Sequence, residues 1–562
     1  MSAVLEANEP GARYLAAVQP ALVRQFELLA TAPGGVRRLR ELILALAIRG
    51  TLVSRNSTEL IRTSGTTVNH VDPFELPAGW LWMTLRELQA EFQNGAASRG
   101  DPGGRPITVL RLADIKDRRV SLADTRDVPI RDQDIEKYRL LDGDILVTRV
   151  NGSADIVGQF NLVEGEPHAI YCDHFIRMRV SREVLDPKYL ALFGGSEVVR
   201  GRISNLFIST AGQKTVNQSH IASLPIAIPP LAEQARIVAR VDELMRLCDA
   251  LEAKGRLEAE QHARLLGTLL GTLTDSSTPE ELAANWQRVA DHFDLLLDRP
   301  EAVDALEQTI LQLAVRGLLV PQDPSDEPAT ALLQRVRLAR ENCDLPGRAK
   351  RGGAATSQGM LDEPFTLPVG WTWSTLPDLC AITGGSTPSK AVADNWIGDI
   401  PWVSPKDMKV SVVEDAQDHV SSAALAGSLS LIQPGSLLMV VRGMILAHSF
   451  PVAVTRVPVT VNQDMKALTP FEPRLLPFLM LLCEGMKTEV LALVDRSTHG
   501  TCKLESPKIF GLRIPLPSLA EQTRIIGRVS ELRRLCVELR QRLTASQTTQ
   551  SHLAEALVDE VA

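Results

Sequence analysis

The feature that most constrains this chain is a segment that occurs twice. Residues 224–248 match residues 512–536 after a shift of 288 positions, and both copies run from an apolar stretch through proline into an amphipathic pattern. The identical residues of the first copy are Leu231, Ala232, Glu233, Gln234, Arg236, Ile237, Arg240, Val241, Glu243, Leu244, Leu247 and Cys248, which match Leu519, Ala520, Glu521, Gln522, Arg524, Ile525, Arg528, Val529, Glu531, Leu532, Leu535 and Cys536. Proline suits the approach to a helix, because its φ is already helical and its missing N–H is not needed there. The match predicts two segments that fold alike.

Apolar residues recur at steps of three and four after each proline. They occupy positions 237, 241, 244, 248 and 251 in the first copy, and 525, 529, 532, 536, 539 and 543 in the second. This spacing is typical of a helix that packs against another helix. We therefore predict two equivalent long helices, packed antiparallel about a pseudo-two-fold axis. With antiparallel helices, the two halves of a tandem repeat would carry their globular domains at opposite ends of the helix pair.

Two further repeats extend the duplication towards the N-terminus. Residues 26–53 match 293–320 after a shift of 267, and 74–88 match 365–379 after a shift of 291. The first of these repeats predicts a helix, a proline-marked turn and a second helix, with Gly50 and Gly317 where a C-terminal cap favours positive φ. The second repeat carries a Trp-x-Trp pair, and we interpret these tryptophans as residues that fill the core at the edge of a domain. The whole chain is therefore a tandem duplication of one unit, and the boundary between the two copies lies near residue 278.

The interiors of the two repeats, residues 90–222 and 381–510, differ in sequence. Both show short β-type runs with turn signals, at 106–110, 144–148, 437–441 and 458–461, and a late helix, near 186–202 and 473–493. The predicted fold class is mixed α/β, with two globular domains on a pseudo-two-fold pair of long antiparallel helices. The predicted segments are 1–73 (helical repeat and linker), 74–230 (first globular domain), 231–320 (central helical region), 321–363 (linker), 364–517 (second globular domain) and 518–562 (C-terminal helix).

Composition narrows the class of protein. The chain has 562 residues, a net charge of −8 and seven scattered cysteines without a CxxC pair. This cysteine usage argues against a zinc site or a disulfide framework and favours a reducing cytoplasm. No apolar run approaches the ~20 residues of a membrane span. The negative charge argues mildly against a strongly basic nucleic-acid binder, but a local basic groove remains compatible with it.

A repeated frame around unlike interiors suggests recognition modules on a common support. The chain resembles the specificity (S) subunit of Type I restriction–modification systems, on the strength of 224–237 and its copy together with Leu-Pro-x-Gly-Trp at 76–80 and 367–371. The resemblance implies two target recognition domains, each reading one half of a split, asymmetric site in double-stranded DNA. It also implies partners: two methyltransferase subunits that bind S-adenosylmethionine, and restriction subunits that use ATP and Mg. This chain itself would hold no cofactor.

Several polar side chains of the two interiors suit DNA binding. Small hydroxyl residues, Gly and Lys suit a backbone that approaches phosphates, and Asn, Gln and Arg can make bidentate contacts to base edges. The candidates are Arg111, Lys116, Arg149, Asn151, Gln213, Lys214 and Asn217 in the first domain, and Lys406, Lys409, Arg442, Thr498, His499 and Lys503 in the second. Lys214 and Lys503, in the late loops, are predicted to contact phosphates. Arg49 and Arg316 are candidate residues for docking the methyltransferase.

Two other classes of function stay open at this point. One is a DNA modification or cleavage enzyme with its own active site, although the chain has no GxxxxGK[ST] loop, no GxGxxG after a strand and no His residues at metal-ligand spacing. The other is a degenerate scaffold in which only the helices work in assembly. We expect a non-catalytic specificity subunit without a bound metal.

Overall fold

The structure is a computed structural model that describes residues 26–561, apart from positions 55–72, 98–99, 102, 117, 124, 211, 343–363, 428 and 497–500. The chain divides into two compact units. Unit 1 comprises Met1–Glu258 and Gln547–Ala562, and unit 2 comprises Ala259–Ser546. Each unit therefore holds one sequence repeat, except that the end of each long helix belongs to the unit of the other repeat.

Unit 1 contains the first globular domain and its helices. The described helices are α1 (Phe26–Thr31), α2 (Gly35–Ile48), α3 (Asp132–Tyr138), α4 (Pro187–Phe193), α5 (Glu197–Leu206), α6 (Gln218–Ala222) and the start of α7 (Leu231–Thr274). The strands are β1 (Leu81–Thr84), β2 (Glu91–Asn94), β3 (Arg105–Leu110), β4 (Ile115–Lys116), β5 (Arg119–Val120), β6 (Asp127–Ile130), β7 (Ile145–Thr148), β8 (Val150–Asn151), β9 (Phe160–Leu162), β10 (Ala169–Tyr171), β11 (Phe175–Arg179), β12 (Ile208–Thr210), β13 (Gln213–Thr215) and β14 (Pro225–Ile228).

Unit 2 contains the second globular domain and its helices. The described helices are α8 (Pro279–Asp291), α9 (Phe293–Leu296), α10 (Pro300–Val315), α11 (Ala329–Glu341), α12 (Leu376–Leu379), α13 (Leu476–Gly485), α14 (Lys487–Ala492), α15 (Ser506–Gly511) and the start of α16 (Leu519–Val561). The strands are β15 (Thr372–Ser374), β16 (Cys380–Gly384), β17 (Ile400–Val403), β18 (Val412–Val413), β19 (Asp418–Val420), β20 (Leu437–Val440), β21 (Val452–Thr455), β22 (Thr460–Val461), β23 (Met465–Pro470), β24 (Val494–Arg496), β25 (Cys502–Leu504) and β26 (Ile514–Leu516).

The two domains share one sheet topology although their interiors differ in sequence. The larger sheet has the order β2-β11-β7-β9-β5-β4 in unit 1 and β16-β23-β20-β21-β18 in unit 2. Neighbouring strands are antiparallel up to β9 and β21, and the next strand, β5 or β18, joins parallel. A smaller sheet, β10-β3-β6 or β22-β17-β19, also combines one parallel and one antiparallel pair. The fold is thus conserved between the halves where their sequences are not.

Each globular domain is closed at its base by the strands that enter and leave it. Strand β1 pairs antiparallel with β14, with Leu81 opposite Ile228, and β15 pairs antiparallel with β26, with Thr372 opposite Leu516. Both ends of each domain therefore meet beside the start of a long helix. The exit strand of each domain leads directly into the long helix, and its pairing with the entry strand holds both ends of the domain there.

A glycine joins the end of each short helix to this base. Gly50 and Gly317 have φ values of 71° and 73°, as their predicted cap positions require. A Cβ at Gly50 would lie 2.7 Å from the Pro77 ring and 2.9 Å from the Trp80 ring; at Gly317 it would meet the matching proline and tryptophan at 2.5 and 2.9 Å. A side chain at either position is excluded both by φ and by the close approach.

The hydrophobic cores show the order of the long helices. The core of unit 1 combines Ile237 and Val241, from the beginning of α7, with Ala554 and Val558, from the end of α16. The core of unit 2 combines residues from the end of α7 with residues from the beginning of α16. These are Leu266, Leu270 and Leu273, and Ile525, Val529 and Cys536. Each unit brings the beginning of one long helix together with the end of the other, as the antiparallel prediction requires.

Most of the predicted elements are present. The four β-type runs correspond to β3, β7, β20 and β22, and the short helical pairs are α1–α2 and α9–α10. The late helices are each interrupted: α4 and α5 are separated by Gly194 and Gly195, and α13 ends at Gly485 before α14. Helix α11 was not predicted, and it lies inside the range assigned as a linker, 321–363. Its apolar face of Leu332, Leu333 and Val336 is buried, and three arginines occur among the other residues of the helix.

The tryptophans of the Trp-x-Trp pairs lie in the core or against it. Trp80, Trp82 and Trp371 are buried, and Trp373 is half-buried with an edge-to-face contact to the Phe365 ring at 5.0 Å. This confirms their interpretation as core residues at the domain edge.

Candidate DNA interface

In the first domain, two of the predicted DNA-binding segments form one small sheet. Strands β12 and β13 make a hairpin, and β13 also pairs with β8, so that Lys214 lies opposite Asn151. The ammonium of Lys214 donates to the Gly152 carbonyl at 2.8 Å and lies 5.8 Å from the Phe207 ring centroid. Asn151 and Lys214, which are 63 residues apart in the sequence, therefore lie on one surface.

The other candidate residues on this surface differ in their exposure and in the hydrogen bonds that their side chains make. Gln213 is exposed on the hairpin. Arg149 donates to the Asp173 carbonyl at 3.4 Å, and Asn151 accepts from the Ser153 N–H at 2.9 Å. Asn217 caps α6, because its side-chain oxygen accepts from the His220 N–H at 2.8 Å. We therefore assign Asn217 primarily to holding the end of the hairpin in place.

The second domain has an equivalent hairpin, β24–β25, joined to the main sheet by a bridge between Arg442 and Lys503. The hydrogen bond from the Leu504 N–H to the Val441 carbonyl, at 2.8 Å, matches that from the Val216 N–H to the Arg149 carbonyl, at 3.0 Å, in the first domain. Thr498 and His499 lie outside the described residues. The equivalence of the two hairpins rests on the flanking strands.

This equivalence shows that Lys214 and Lys503 are not counterparts. Since Leu504 corresponds to Val216, Lys503 corresponds to Thr215, and Lys214 corresponds to Cys502. Successive side chains of a strand point to opposite faces. Cys502 is buried, whereas Lys503 is exposed and pairs with Glu505 at 3.3 Å. The two late loops thus present their lysines, both predicted to contact phosphates, on opposite faces of equivalent hairpins.

Four candidates lie away from the hairpins. Arg111 and Lys116 follow β3 on the way into the hairpin of β4 and β5, and Arg111 pairs with Asp114 at 3.4 Å. Lys406 lies in a turn after β17 and pairs with Asp418 at 2.8 Å, and Lys409 follows it on the surface. Arg111 and Lys406 therefore adjoin strands of the smaller sheet, whereas Lys116 lies in β4, at the edge of the larger sheet.

One residue that holds the candidate surface was not identified from the sequence. The guanidinium of Arg200, on α5, donates to the carbonyls of Val157, Ala154 and Asp155 at 2.9, 2.8 and 3.0 Å. It thereby fixes the loop that follows Gly152. Burial, followed by the charge of Arg118, lowers the pKa of Arg200. No local sequence signal identifies such a residue, because its partners are backbone carbonyls distant in sequence.

The candidate docking residues Arg49 and Arg316 occupy equivalent positions and make equivalent contacts within their own units. Arg49 lies over the Phe74 ring at 5.6 Å, and Arg316 lies over the Phe365 ring at 5.3 Å. Arg316 also donates to the Thr274 carbonyl. Both arginines therefore stabilise the junction between a short helix and its domain, and their substitution would perturb more than a partner surface.

Within the part of the chain that the structure describes, three potential metal ligands converge, on Cys172, Asp173 and His174. The cysteine is half-buried and the other two are exposed. Burial raises the pKa of the Cys172 thiol, which disfavours the thiolate that a metal would need. We assign no metal to this cluster. Among the described helices, none is both long and apolar enough to cross a bilayer.

Comparison with known proteins identifies the family. The model of the Type I restriction modification DNA specificity domain matches residues 133–261 and 368–546. The specificity subunit of the Type I restriction enzyme EcoEI from Escherichia coli is 30% identical, over 93% of each chain. That of EcoAI, also from Escherichia coli, is 28% identical over 93% of each chain. That of StySPI from Salmonella potsdam is 33% identical over 51% of this chain and 57% of its own. The protein therefore belongs to the family of DNA specificity subunits of Type I restriction–modification systems.

Proposed function

We propose that each globular domain reads one half of a bipartite, asymmetric DNA site, and that the bases between the halves are not read. The observation that carries this proposal is that the two domains share one strand topology, whereas their equivalent hairpins carry different side chains. At equivalent positions the first domain has Arg149, Asn151 and Lys214 where the second has Val441, Gly443 and Cys502. Two domains with the same strand arrangement but different side chains on the hairpin surface suit the recognition of two unlike half-sites.

The chemistry of the hairpin surfaces suits a division of labour. Arg and Asn side chains can pair with base edges, whereas lysine ammonium groups and backbone N–H groups suit phosphates. In the first domain the hairpin brings both kinds of group onto one sheet, and Arg200 holds the adjacent loop. Preorganised loops of this kind lose less conformational entropy on binding.

We further propose that the chain recruits its catalytic partners through a surface that is present twice. Two exposed leucines of α7, Leu247 and Leu265, correspond to Leu535 and Leu553 of α16, which are also exposed. All four are between 48% and 54% exposed. An exposed apolar residue at the same position of both repeats suits two copies of one partner, and we assign the partner as a methyltransferase subunit, one per half.

Catalysis then belongs to those partners. The methyltransferase would bind S-adenosylmethionine, and an associated restriction subunit would use ATP and Mg²⁺, with this chain acting in the cytoplasm and binding none of them. The specificity subunits to which the chain is related support this division. Titration of the purified chain with S-adenosylmethionine tests it: saturable binding to the chain alone would favour the alternative of an enzyme with its own active site.

Methylated-base mapping tests the recognition proposal. DNA is taken from cells that carry this chain together with its methyltransferase, and from cells with the methyltransferase alone. We expect methylation that depends on the chain, at a motif of two unlike half-sites separated by a constant gap. A single uninterrupted motif, or the same methylation without the chain, would contradict the proposal; the latter result would favour an assembly scaffold.

A further inference from the structure

An ion-pair cluster joins the short helix of unit 1 to the long helix that follows its own domain. The guanidinium of Arg40, on α2, contacts the carboxylates of Asp249 and Glu252, on α7, at 2.7 and 2.9 Å. The two acids are three residues apart and therefore lie on one side of the helix. One arginine of the short helix thus bridges two acids of the long helix.

Unit 2 has the same cluster with the charges exchanged. The guanidinium of Arg540, on α16, contacts Asp304 and Glu307, on α10, at 2.6 and 3.0 Å. Glu307 occupies the position of Arg40 after the shift of 267 residues, and Arg540 occupies the position of Glu252 after the shift of 288. Here Arg540 of the long helix bridges two acids of the short helix. Arg533, at the position of Met245 in the first repeat, also contacts Glu307 at 3.1 Å.

Most apolar residues around these clusters are the same in both units. The short helices share three core leucines and isoleucines at positions 39, 43 and 46 and at 306, 310 and 313. The long helices share Ile237, Val241, Leu244 and Cys248 with Ile525, Val529, Leu532 and Cys536. The surfaces differ at some buried positions, such as Leu42, which corresponds to Thr309, but the shared apolar residues cannot distinguish one repeat from the other. The exchanged charges, in contrast, differ in sign between the two repeats.

We propose that these exchanged charges direct each short helix to the long helix of its own repeat. In the wrong pairing, Arg40 would face Arg540, while Asp304 and Glu307 would face Asp249 and Glu252. Both wrong pairings bring like charges together, and both correct pairings bring opposite charges together. The competing surface is the equivalent long helix in the other half of the chain or in a second copy of this chain.

The size of the effect follows from the exposure of the pairs. The acids Asp249, Glu252 and Asp304 have side chains more than 60% exposed, so each ion pair is modest. A wrong pairing loses the attraction and adds a repulsion of similar size in each of two places. Together these differences should favour the correct pairing on the order of tenfold.

A double-mutant cycle in the full-length chain tests the pairing itself. Arg40→Glu and Glu252→Arg should each lower the midpoint of urea unfolding, and the double variant should recover most of the loss. Lys254→Glu is the matched control for Arg40→Glu, because it changes the net charge equally and its described ion pair is with Glu258 on the same helix. Single variants that unfold like the control would overturn the proposal.

A charge transplant tests the selection between surfaces. The variant R37D/R40E/D249V/E252R places the residues Asp304, Glu307, Val537 and Arg540 of unit 2 at the matching positions of unit 1, so that correct and wrong pairings are both attractive. We expect near-native stability but a lower fraction refolded from urea to the wild-type species, measured by size-exclusion chromatography with light scattering. A fraction that falls with chain concentration identifies a second copy as competitor, and a constant deficit identifies the other half of the chain. Complete recovery at all concentrations would overturn the proposal.

Discussion

The indole N–H of Trp80 donates a hydrogen bond to the carboxylate of Glu233 at 3.2 Å, and the same bond joins Trp371 to Glu521 at 2.9 Å. All four residues are buried. Trp80 and Trp371 begin the globular domains, whereas Glu233 and Glu521 lie in the first turns of the long helices. This bond explains why the two motifs recur together: each half uses it to join the start of a domain to the helix that follows its end.

Removing the donor should destabilise the unit concerned. Trp80→Phe or Trp371→Phe takes one hydrogen bond from a buried carboxylate, which should lower the free energy of unfolding by about 1–3 kcal/mol. Urea unfolding, followed by circular dichroism, measures this loss. Trp286→Phe is the control, because Trp286 is exposed and should change stability little. Equal stability of all three variants would contradict a role for the bond.

The stability of unit 2 should also depend on pH through Glu521. Burial raises the pKa of this carboxyl. The folded chain therefore binds the proton more tightly than the unfolded chain, so this group stabilises the fold below its unfolded pKa, and the contribution is lost as pH rises through the folded pKa. We expect the stability of the wild type relative to Glu521→Gln to fall over the pH range above the ordinary glutamate pKa of about 4.3. A relative stability that rises over this range would contradict the sign.

The exposed position of Lys503 makes it the stronger of the two proposed phosphate contacts. Lys503→Ala should weaken binding to all DNA sequences alike and reduce the slope of log K against log salt by about one. Lys214→Ala should reduce the slope less, because the Lys214 side chain is half-buried and its ammonium donates to the Gly152 carbonyl. The Lys503 side chain is 50% exposed, and a surface ion pair such as that with Glu505 contributes little. Lys254→Ala, on the long helix, is the control. A Lys503→Ala chain that directs methylation to different bases would place this lysine on a base edge instead.

The duplicated leucines test partner docking. Leu247→Glu combined with Leu535→Glu should strongly reduce co-purification of the methyltransferase, and either change alone should leave one methyltransferase per chain. Leu257→Glu is the control, since Leu257 is equally exposed but its counterpart in the second repeat is Ala545. Native mass spectrometry counts the bound subunits. Two bound subunits in the double variant would move the docking surface elsewhere.

The sequence predicted the frame of the fold well, because the frame is duplicated. A residue that recurs in both copies marks a position with a structural requirement. Gly50 and Gly317 are an example, because both have positive φ in the structure. The interiors offered no such comparison. Their common strand order depends on long-range pairings, and a parallel pair such as β5 and β9 leaves no local trace in the sequence.

The candidate site shows the same limit at the level of single residues. The position of the late loops could be predicted, but the face on which each lysine lies could not. A shift of one residue exchanges the faces of a strand, and only the register of β13 and β25 fixes it. Arg200 was missed because backbone carbonyls are acceptors at every residue, and the helix that brings it to them is positioned by tertiary packing.

The central claim, one half-site per globular domain, is tested most directly by exchanging one domain interior. Residues 90–222 are replaced by the corresponding block of another specificity subunit of known site, and methylated bases are mapped in cells with the cognate methyltransferase. The account predicts that one half-site changes to that of the donor, while the other half-site and the gap stay the same. Simultaneous change of both half-sites, or retention of the original motif, would contradict it.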